Sequence, residues 1–320
     1  MTNAQLLTLP DEAWRLIAGI GSVLIVASLI GRVLKIRLAR RQAHAVIDNL
    51  NSRINAWWMI AILFGLAMLA GRSGVSLLFG LASLAALQEF LASETPGTIP
   101  PALRMGSFVL VVPLQYLLVW NGSYALYASF IPCLVLIGLP LLALCAENRS
   151  KGLLRMRMLA GGLLICVFSV SHIPALLTLP ISGYPGRNAY LLVFLLLVVQ
   201  SSDVLQYLWG KLVGRHAIAP KLSPAKTVEG TVGGIVTASA LGAGLASMTP
   251  FTVPEAALIS LWITLLGFLG GLAMSAIKRS RGIKDWSSLI PGHGGMLDRL
   301  DSLCLSAPAF FYLLRFGWSS

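Results

Sequence analysis

Charged side chains are scarce in this sequence. Aspartate, glutamate, lysine and arginine make up 11% of its 320 residues, whereas 57% are hydrophobic. Apolar runs of about 20 residues recur, each long enough to cross a bilayer core of about 30 Å. The pattern predicts an all-α, polytopic integral membrane protein with ten transmembrane helices. The predicted spans are residues 13–33, 56–71, 74–93, 102–120, 123–144, 155–179, 188–208, 231–248, 254–275 and 301–317.

Cysteine is also rare, and no two cysteines have the spacing of a metal site. Cys133, Cys145, Cys166 and Cys304 are scattered in or beside apolar spans, where a free cysteine behaves as a small hydrophobic residue. A Gly-x4-Gly-Lys-Ser/Thr phosphate loop is absent from the sequence as well, which argues against a P-loop nucleotide site.

The few charges are distributed unevenly between the two sides of the membrane. The net charge of +12 is compatible with nucleic-acid binding, but 18 of the 24 lysines and arginines fall in alternate loops on one side of the predicted spans. The positive-inside rule places those loops in the cytoplasm and both termini outside. We therefore expect no nucleic-acid partner and a location in the bacterial cytoplasmic (inner) membrane, with any active site facing the cytoplasm.

The predicted spans and loops divide the chain into three segments. We expect residues 1–55 to form an N-terminal transmembrane helix and a basic cytoplasmic segment, and residues 56–199 to form a membrane-embedded helical half. Residues 200–320 are expected to form the half with two cytoplasmic motif loops, which is the candidate catalytic half because of the charged residues described next.

The densest group of charges lies between Ser275 and Asp301 and holds a quarter of the twelve acidic residues. Asp298 and Asp301 are three residues apart, so a helix would put both carboxylates on one face. Asp285 precedes them across a glycine-rich turn whose N–H groups can converge on an anion. Carboxylates that can hold a divalent cation, beside lysines and arginines, favour phosphoryl or nucleotidyl transfer. A basic loop that only orients the protein would explain the cations but not the aspartates.

A second polar group begins at Asp203, near the cytoplasmic end of the seventh span. An aspartate this deep in the membrane needs a cation as its partner, either a metal ion or a basic side chain. The loop that follows offers basic and hydroxyl side chains, namely Lys211, Arg215, Lys221, Ser223, Lys226 and Thr227. Thr227 is placed to cap the next helix, whose N-terminus would favour phosphate.

Three further polar residues lie inside predicted spans, where each is costly. We interpret Gln115 as a bridge between helices. His172 fits a bridging and a functional role equally well. Glu89 lies near a cytoplasmic helix end and is a candidate to reach the charged loops.

The two charged groups carry the pattern of a known enzyme family. Ser275-x-x-Lys278-Arg279-x4-Lys284-Asp285-x5-Pro291-x-His293-Gly294-Gly295-x-x-Asp298-Arg299-x-Asp301 resembles the signature of the phosphatidate cytidylyltransferases, or CDP-diacylglycerol synthases. The block from Asp203 to Gly230 is similar to the second motif of that family, with Val228 where tryptophan is usual. The resemblance covers roughly residues 200–308.

The resemblance implies a nucleotidyltransferase that joins CTP to phosphatidic acid and releases CDP-diacylglycerol and pyrophosphate. It implies Mg²⁺, alone or with a second monovalent or divalent cation, and membrane lipid as a partner, while a homodimer stays open. The implied catalytic residues are Lys226, Lys278, Arg279, Lys284, Asp285, His293 and Arg299. The implied nucleotide-binding residues are Lys211, Arg215, Lys221, Ser223, Thr227, Gly294 and Gly295. The implied metal ligands are Asp298, Asp301, Asp203 and Asp285.

One departure from the family pattern concerns the metal site. Most members have Gly-Asp four residues before the signature serine, and that aspartate is a metal ligand, whereas Gly271 occupies the position here. Either Asp203 or Asp285 compensates, or the metal binds more weakly, or activity is lost. From the sequence alone, a Gly271→Asp change is expected to lower the Mg²⁺ requirement.

Two other classes of protein remain as alternatives. A related CTP-using membrane enzyme, such as a CDP-archaeol synthase or a polyprenol kinase, would share the charges and take another lipid. A transporter would also place charges within spans, but the sequence has no repeat between its halves and its charges cluster at one membrane face.

Overall fold

The structure, a computed structural model, describes residues 11–37, 45–94, 98–145, 149–290, 292 and 294–319. Most of these residues are helical. The helices are α1 (Asp11–Arg37), α2 (Ala45–Leu69), α3 (Gly71–Ala92), α4 (Pro101–Asn121), α5 (Tyr124–Leu144), α6 (Lys151–Thr178, preceded by a first turn from Arg149), α7 (Asn188–Val213), α8 (Val228–Gly244), α9 (Val253–Ser280), α10 (Leu297–Leu300) and α11 (Leu303–Gly317).

Eight helices of the described chain, α1 to α7 and α9, are long and apolar enough to cross a membrane. The expected all-α, polytopic class is therefore confirmed, although the count of ten spans is not. The two remaining predicted spans coincide with α8, which has 17 residues, and α11, which has 15. At 1.5 Å per residue these helices are about 26 and 23 Å long, short of a hydrocarbon core of about 30 Å.

The chain divides into two compact units. The smaller one contains the chain up to Leu66 together with Ser288–Gly294, and the larger one contains Ala67–Ser287 and Gly295–Ser320. In the smaller unit, residues 45–53 form the first turns of α2 and so continue directly into the second span. The Lys35 ammonium lies 2.5 Å from the Asp48 carboxylate and joins α1 to α2.

The core of the larger unit is built around α3, α6, α9 and α11. Gln115 donates hydrogen bonds of 3.0 Å to the Tyr127 carbonyl and to the Ser171 hydroxyl, which confirms its interpretation as a bridge between helices. His172 is fully buried among aromatic rings, and its Nδ1 lies 2.7 Å from the Phe168 carbonyl. The contacts of His172 are with core residues and not with the charged loops. We therefore interpret it as a packing residue of the core.

Glycines allow α7, α8 and α9 to approach one another closely. A Cβ added at Gly234 would come within 2.5 Å of the Gln206 backbone nitrogen, and one at Gly242 would overlap the Ser260 hydroxyl. Both positions therefore need glycine, as expected for helices that associate in lipid through small residues. This packing fixes α7 and α9, which carry charged residues of the candidate site.

A short antiparallel hairpin connects α7 to α8. Its strands are β1 (Ala217–Ala219) and β2 (Ser223–Thr227), with Ala217 opposite Thr227 and Ala219 opposite Ser223. Sequence reasoning did not find this hairpin, because both strands are short, and β2 contains proline and lacks alternating apolar residues.

Candidate active site

The centre of the candidate site is an ion pair between α9 and α10. Lys278, in the last turn of α9, places its ammonium 2.7 Å from Oδ1 of Asp298. Both side chains are nearly buried, with 11% and 5% of their surface exposed. Asp298 thereby holds the positive charge of Lys278 at the end of a membrane-spanning helix, where little water screens the attraction between the two groups.

The second oxygen of Asp298 closes the signature loop. Oδ2 accepts hydrogen bonds from the backbone N–H groups of Trp286, at 3.0 Å, and of Gly295, at 2.9 Å. The carboxylate thus satisfies one ammonium and two N–H donors, as a buried charge requires. Asp298 positions both Lys278 and the loop.

Glu89, near the end of α3, reaches the same loop. This contact was expected from the position of Glu89 in the sequence. Its Oε1 accepts hydrogen bonds from the Ser287 hydroxyl (2.6 Å) and the Met296 N–H (2.8 Å), and its Oε2 accepts one from the Leu297 N–H (2.8 Å). A Cβ at Gly295 would lie only 2.5 Å from Oε2. The glycine at 295 therefore makes room for the Glu89 carboxylate.

Arg281 fastens the end of α9 to the end of α3. Its guanidinium lies 2.5 Å from the Glu94 carboxylate and donates a 2.8 Å hydrogen bond to the Phe90 carbonyl. It also stacks 4.0 Å from the centroid of the Phe90 ring, which itself stacks on Trp286. Sequence reasoning missed this role, because Arg281 and Phe90 are 191 residues apart and no local spacing links them.

A second cluster of charges adjoins the Lys278–Asp298 pair. Asp301 interacts electrostatically with Lys278, Lys226 and Arg299. Asp203, on α7, interacts with Asp301, Lys226 and Arg299. Three cations and three carboxylates from α7, β2, α9 and the α10–α11 region therefore meet at one end of the helices.

The hairpin residues are arranged around the start of α8. Thr227 caps this helix, as predicted, because its hydroxyl accepts a 3.1 Å hydrogen bond from the Gly230 N–H. The Glu229 carboxylate accepts hydrogen bonds from the Arg215 N–H at 2.9 Å and from the backbone and ring of His216. These bonds, that of Arg215 first, lower the pKa of Glu229 from 4.5 to about 2. Arg279 donates to the Leu222 carbonyl and ties the hairpin turn to α9.

The remaining predicted site residues lie in different surroundings. Lys211, Arg215, Lys221, Lys284 and Asp285 are exposed, and Ser223 is half-buried in β2. Gly294 belongs to the smaller unit, where its carbonyl accepts a 2.8 Å hydrogen bond from the Ile290 N–H. His293 and Pro291 lie outside the described residues.

The four predicted metal ligands lie in three different environments. Asp203 and Asp301 are electrostatic neighbours, Asp298 is engaged by Lys278 and two N–H groups, and Asp285 is exposed. In the part of the chain that the structure describes, no three acidic, histidine or cysteine side chains form a group that could hold one metal ion. Two carboxylates completed by substrate phosphates and water are nevertheless a common arrangement for Mg²⁺.

Comparison with known proteins identifies the family to which this arrangement belongs. The sequence model of the cytidylyltransferase family matches residues 51–317. The chain belongs to the cytidylyltransferase family. The matched range contains every charged residue of the candidate site, so the family match and the geometry concern the same part of the molecule.

Individual relatives agree with this assignment. An Escherichia coli (strain K12) protein called uncharacterized protein YnbB is 38% identical over 303 residues, which are 94% of this chain and 97% of that protein. The phosphatidate cytidylyltransferase of Haemophilus influenzae is 36% identical over 143 residues, 41% of this chain and 48% of that enzyme. That of Bacillus subtilis is 41% identical over 119 residues, 37% and 44% of the two chains. The chain thus matches about half the length of these two enzymes.

Among the cavities in the part of this cytidylyltransferase that the structure describes, two lie along its helices. One of about 330 Å³ adjoins the site and runs beside the last turns of α9, with a lining of Leu164, Ile165, Phe168, Ser169, Gly270, Ala273, Met274, Ile277, Cys304 and Leu305. The other, of about 550 Å³, includes Arg72 and Asn188, at the opposite end of α3 from Glu89. Arg72 and Glu89 are 17 residues apart on α3, so about 26 Å of helix lies between this cavity and the charged cluster.

Proposed function

We propose that this protein transfers a cytidylyl group from CTP to phosphatidic acid, forming CDP-diacylglycerol and pyrophosphate for phospholipid biosynthesis. The observation that carries the proposal is the buried Lys278–Asp298 pair at the end of a membrane helix, beside Lys226 and Arg299. The sequence matches to two phosphatidate cytidylyltransferases, over 143 and 119 residues, support it.

The chemistry needs cations more than it needs a nucleophilic side chain. An oxygen of the lipid phosphomonoester attacks the α-phosphorus of CTP, and the bond to the β-phosphate oxygen breaks, so that pyrophosphate leaves. Both reactants are anions, and their repulsion is part of the barrier. Lys226, Lys278 and Arg299 would bind phosphate oxygens and hold the two reactants in line. Asp298 and Glu89 would keep Lys278 and the loop in place.

Mg²⁺ belongs to this proposal as the metal cofactor. The pair of neighbouring carboxylates Asp203 and Asp301 fits such an ion. Both oxygens of Asp298 are already engaged, one by Lys278 and the other by two backbone N–H groups. Bound there, a divalent cation would supply charge neutralisation to the triphosphate.

The lipid would reach the site from within the membrane. The 330 Å³ cavity is almost wholly apolar and follows α9 for two turns up to Ile277, next to Lys278. A lipid with an acyl chain in this cavity would have its phosphate near the Lys278 ammonium. We further propose that the site faces the cytoplasm of a bacterium, in its inner membrane, because the basic loops gather on that side and CTP is supplied there.

An assay with two positions of label tests the reaction class. Purified protein is incubated with Mg²⁺, phosphatidic acid and CTP labelled in either its α- or its γ-phosphate. We expect the α-label, and not the γ-label, to enter the lipid fraction, and Lys278→Met to reduce this transfer about a hundredfold. Transfer of the γ-label would identify a lipid kinase. Archaeal-type and polyprenol lipids in parallel reactions would reveal another acceptor, and transfer to none of them would overturn the proposal.

A further inference from the structure

Gly271 of α9 faces the end of Lys226. Apart from the backbone of α9 itself, the ammonium nitrogen of Lys226, at 3.0 Å, is the only described atom within 4 Å of a Cβ built at this position. The neighbouring Gly270 differs, because its Cβ would collide with the Asp301 backbone carbonyl at 2.8 Å. Gly270 is therefore required by helix packing, whereas the absence of a side chain at 271 leaves room for the end of Lys226.

Contacts at the backbone and at the ammonium group both position Lys226 beside Gly271. Its backbone belongs to β2 and precedes Thr227, the cap of α8. Its ammonium lies 5.0 Å from the centroid of the buried Phe268 ring, one turn before Gly271 on α9. An aromatic face attracts a cation without neutralising it. This contact thus positions the Lys226 side chain without supplying a counterion.

The charge of Lys226 has no close counterion in the described chain. Lys278 is paired with Asp298 at 2.7 Å and Arg281 with Glu94 at 2.5 Å, but no described carboxylate oxygen lies within 4.0 Å of the Lys226 ammonium. Asp203 and Asp301 interact with it only at longer range. A half-buried cation without a counterion is suited to binding an anion that arrives with the substrate.

We propose that Gly271 is a specificity-determining position: because it places no carboxylate beside the Lys226 ammonium, that ammonium binds a substrate phosphate oxygen directly. A carboxylate at 271 would instead pair with Lys226 and remove this cation from the substrate. The sequence predicts that Gly271→Asp lowers the Mg²⁺ requirement; the position of Lys226 adds a second expected effect, which is weaker binding of the substrate phosphate. The inference rests on the proposed function for the identity of the phosphate compound.

Binding without divalent cations isolates the contribution of Lys226. The purified full-length chain in detergent is titrated in EDTA with CTP, with pyrophosphate, and with a short-chain phosphatidate, and binding is measured by equilibrium dialysis and by the shift in melting temperature. Phosphatidylcholine of the same chain length controls for the acyl chains. Binding of CTP and pyrophosphate assigns the subsite to the nucleotide, and binding of phosphatidate alone assigns it to the lipid.

Four variants separate charge from size at the two positions. We expect Gly271→Ala to bind the phosphate ligand within about threefold of wild type, because the flexible lysine can move by a few tenths of an ångström. Gly271→Asp and Lys226→Met should each weaken binding in EDTA by about tenfold or more, since each removes one charge-assisted hydrogen bond. In the double variant the two effects should not add, because the aspartate has no lysine left to neutralise.

Two results would overturn the inference. One is a folded wild-type protein that binds none of the phosphate ligands in EDTA. The other is a folded Gly271→Asp variant that binds them as tightly as Gly271→Ala. Folding is judged for every variant from the melting transition without ligand. Because these measurements require no turnover, they are independent of the labelled-CTP assay, and either the inference or the proposed reaction can fail alone.

Discussion

Glu89 and Leu297 are 208 residues apart in the chain, and a carboxylate oxygen of Glu89 accepts a 2.8 Å hydrogen bond from the Leu297 N–H. The same carboxylate holds Met296 and Ser287. A buried group near the end of one membrane helix thus determines where the loop before Asp298 lies. The charged cluster depends on this support as much as on its own residues.

Replacing Glu89 by glutamine should damage the site without removing any group that contacts substrate. Glutamine offers one oxygen where the carboxylate offers two, and its NH₂ group would face an N–H donor. Hydrogen bonds to charged groups contribute about 1.5–3 kcal/mol each, and an unsatisfied N–H adds to the loss. We expect kcat to fall about tenfold or more, with a lower melting temperature. Gln88→Ala, at the exposed neighbouring position, is the control and should retain both.

Asp298→Asn tests whether this carboxylate acts mainly through Lys278. The variant keeps the shape and removes the charge from a buried ion pair, whose disruption costs about 3–5 kcal/mol. We expect turnover at saturating Mg²⁺ to fall about a hundredfold or more, while the half-saturating Mg²⁺ concentration changes little.

Asp203→Asn and Asp301→Asn should behave differently from Asp298→Asn. If these two carboxylates hold the metal ion, each replacement should raise the half-saturating Mg²⁺ concentration about tenfold or more. Mg²⁺ titrations of CTP turnover, normalised to folded protein, measure all three variants. Near-normal turnover of Asp298→Asn would remove Asp298 from the mechanism, and a large rise in its Mg²⁺ requirement would make it a metal ligand.

Sequence reasoning located the charged loops and the residues that converge there, because a charge inside or beside an apolar span stands out against its surroundings. Lys226, Lys278, Asp203 and Asp301 were found in this way, and Glu89 was singled out as a candidate. The sequence could not indicate which carboxylate pairs with which cation. Partners such as Arg281 and Phe90 are brought together by the packing of helices, and no local pattern records that packing.

The distribution of basic residues leads to a prediction about topology. After the natural cysteines are replaced, single cysteines at Lys221 and Lys284, both exposed, should react with a membrane-impermeant reagent only in permeabilised cells. A cysteine at the exposed Asn121, the last residue of α4, should react in intact cells. Labelling of either lysine position in intact cells would contradict the cytoplasmic location of the site.

The Glu229 carboxylate should make the hairpin sensitive to acid. Its pKa is lowered from 4.5 to about 2 by the hydrogen bonds from Arg215 and His216. Its stabilising effect is therefore complete above pH 4.5 and is lost as the pH falls through about 2. Melting temperatures measured between pH 6 and pH 3 should fall less steeply in Glu229→Gln than in wild type. In His216→Gln the two backbone donors remain, so most of the pH dependence should persist; equal slopes in all three proteins would refute the assignment.

The apolar cavity beside α9 gives a prediction about the lipid. Ala273 lines this cavity and is exposed, so a phenylalanine there would fill part of it without disturbing a buried contact. If an acyl chain binds in the cavity, the variant would exclude several CH₂ groups, each contributing about 0.8 kcal/mol on burial. The KM for phosphatidic acid should then rise about tenfold or more, whereas CTP binding stays as in wild type.

Leu269→Phe, on the exposed surface of the same helix but outside the cavity lining, is the matched control and should leave both constants unchanged. An unchanged lipid KM in a well-folded Ala273→Phe variant would mean that the chain of the substrate lies elsewhere along the membrane surface of the protein.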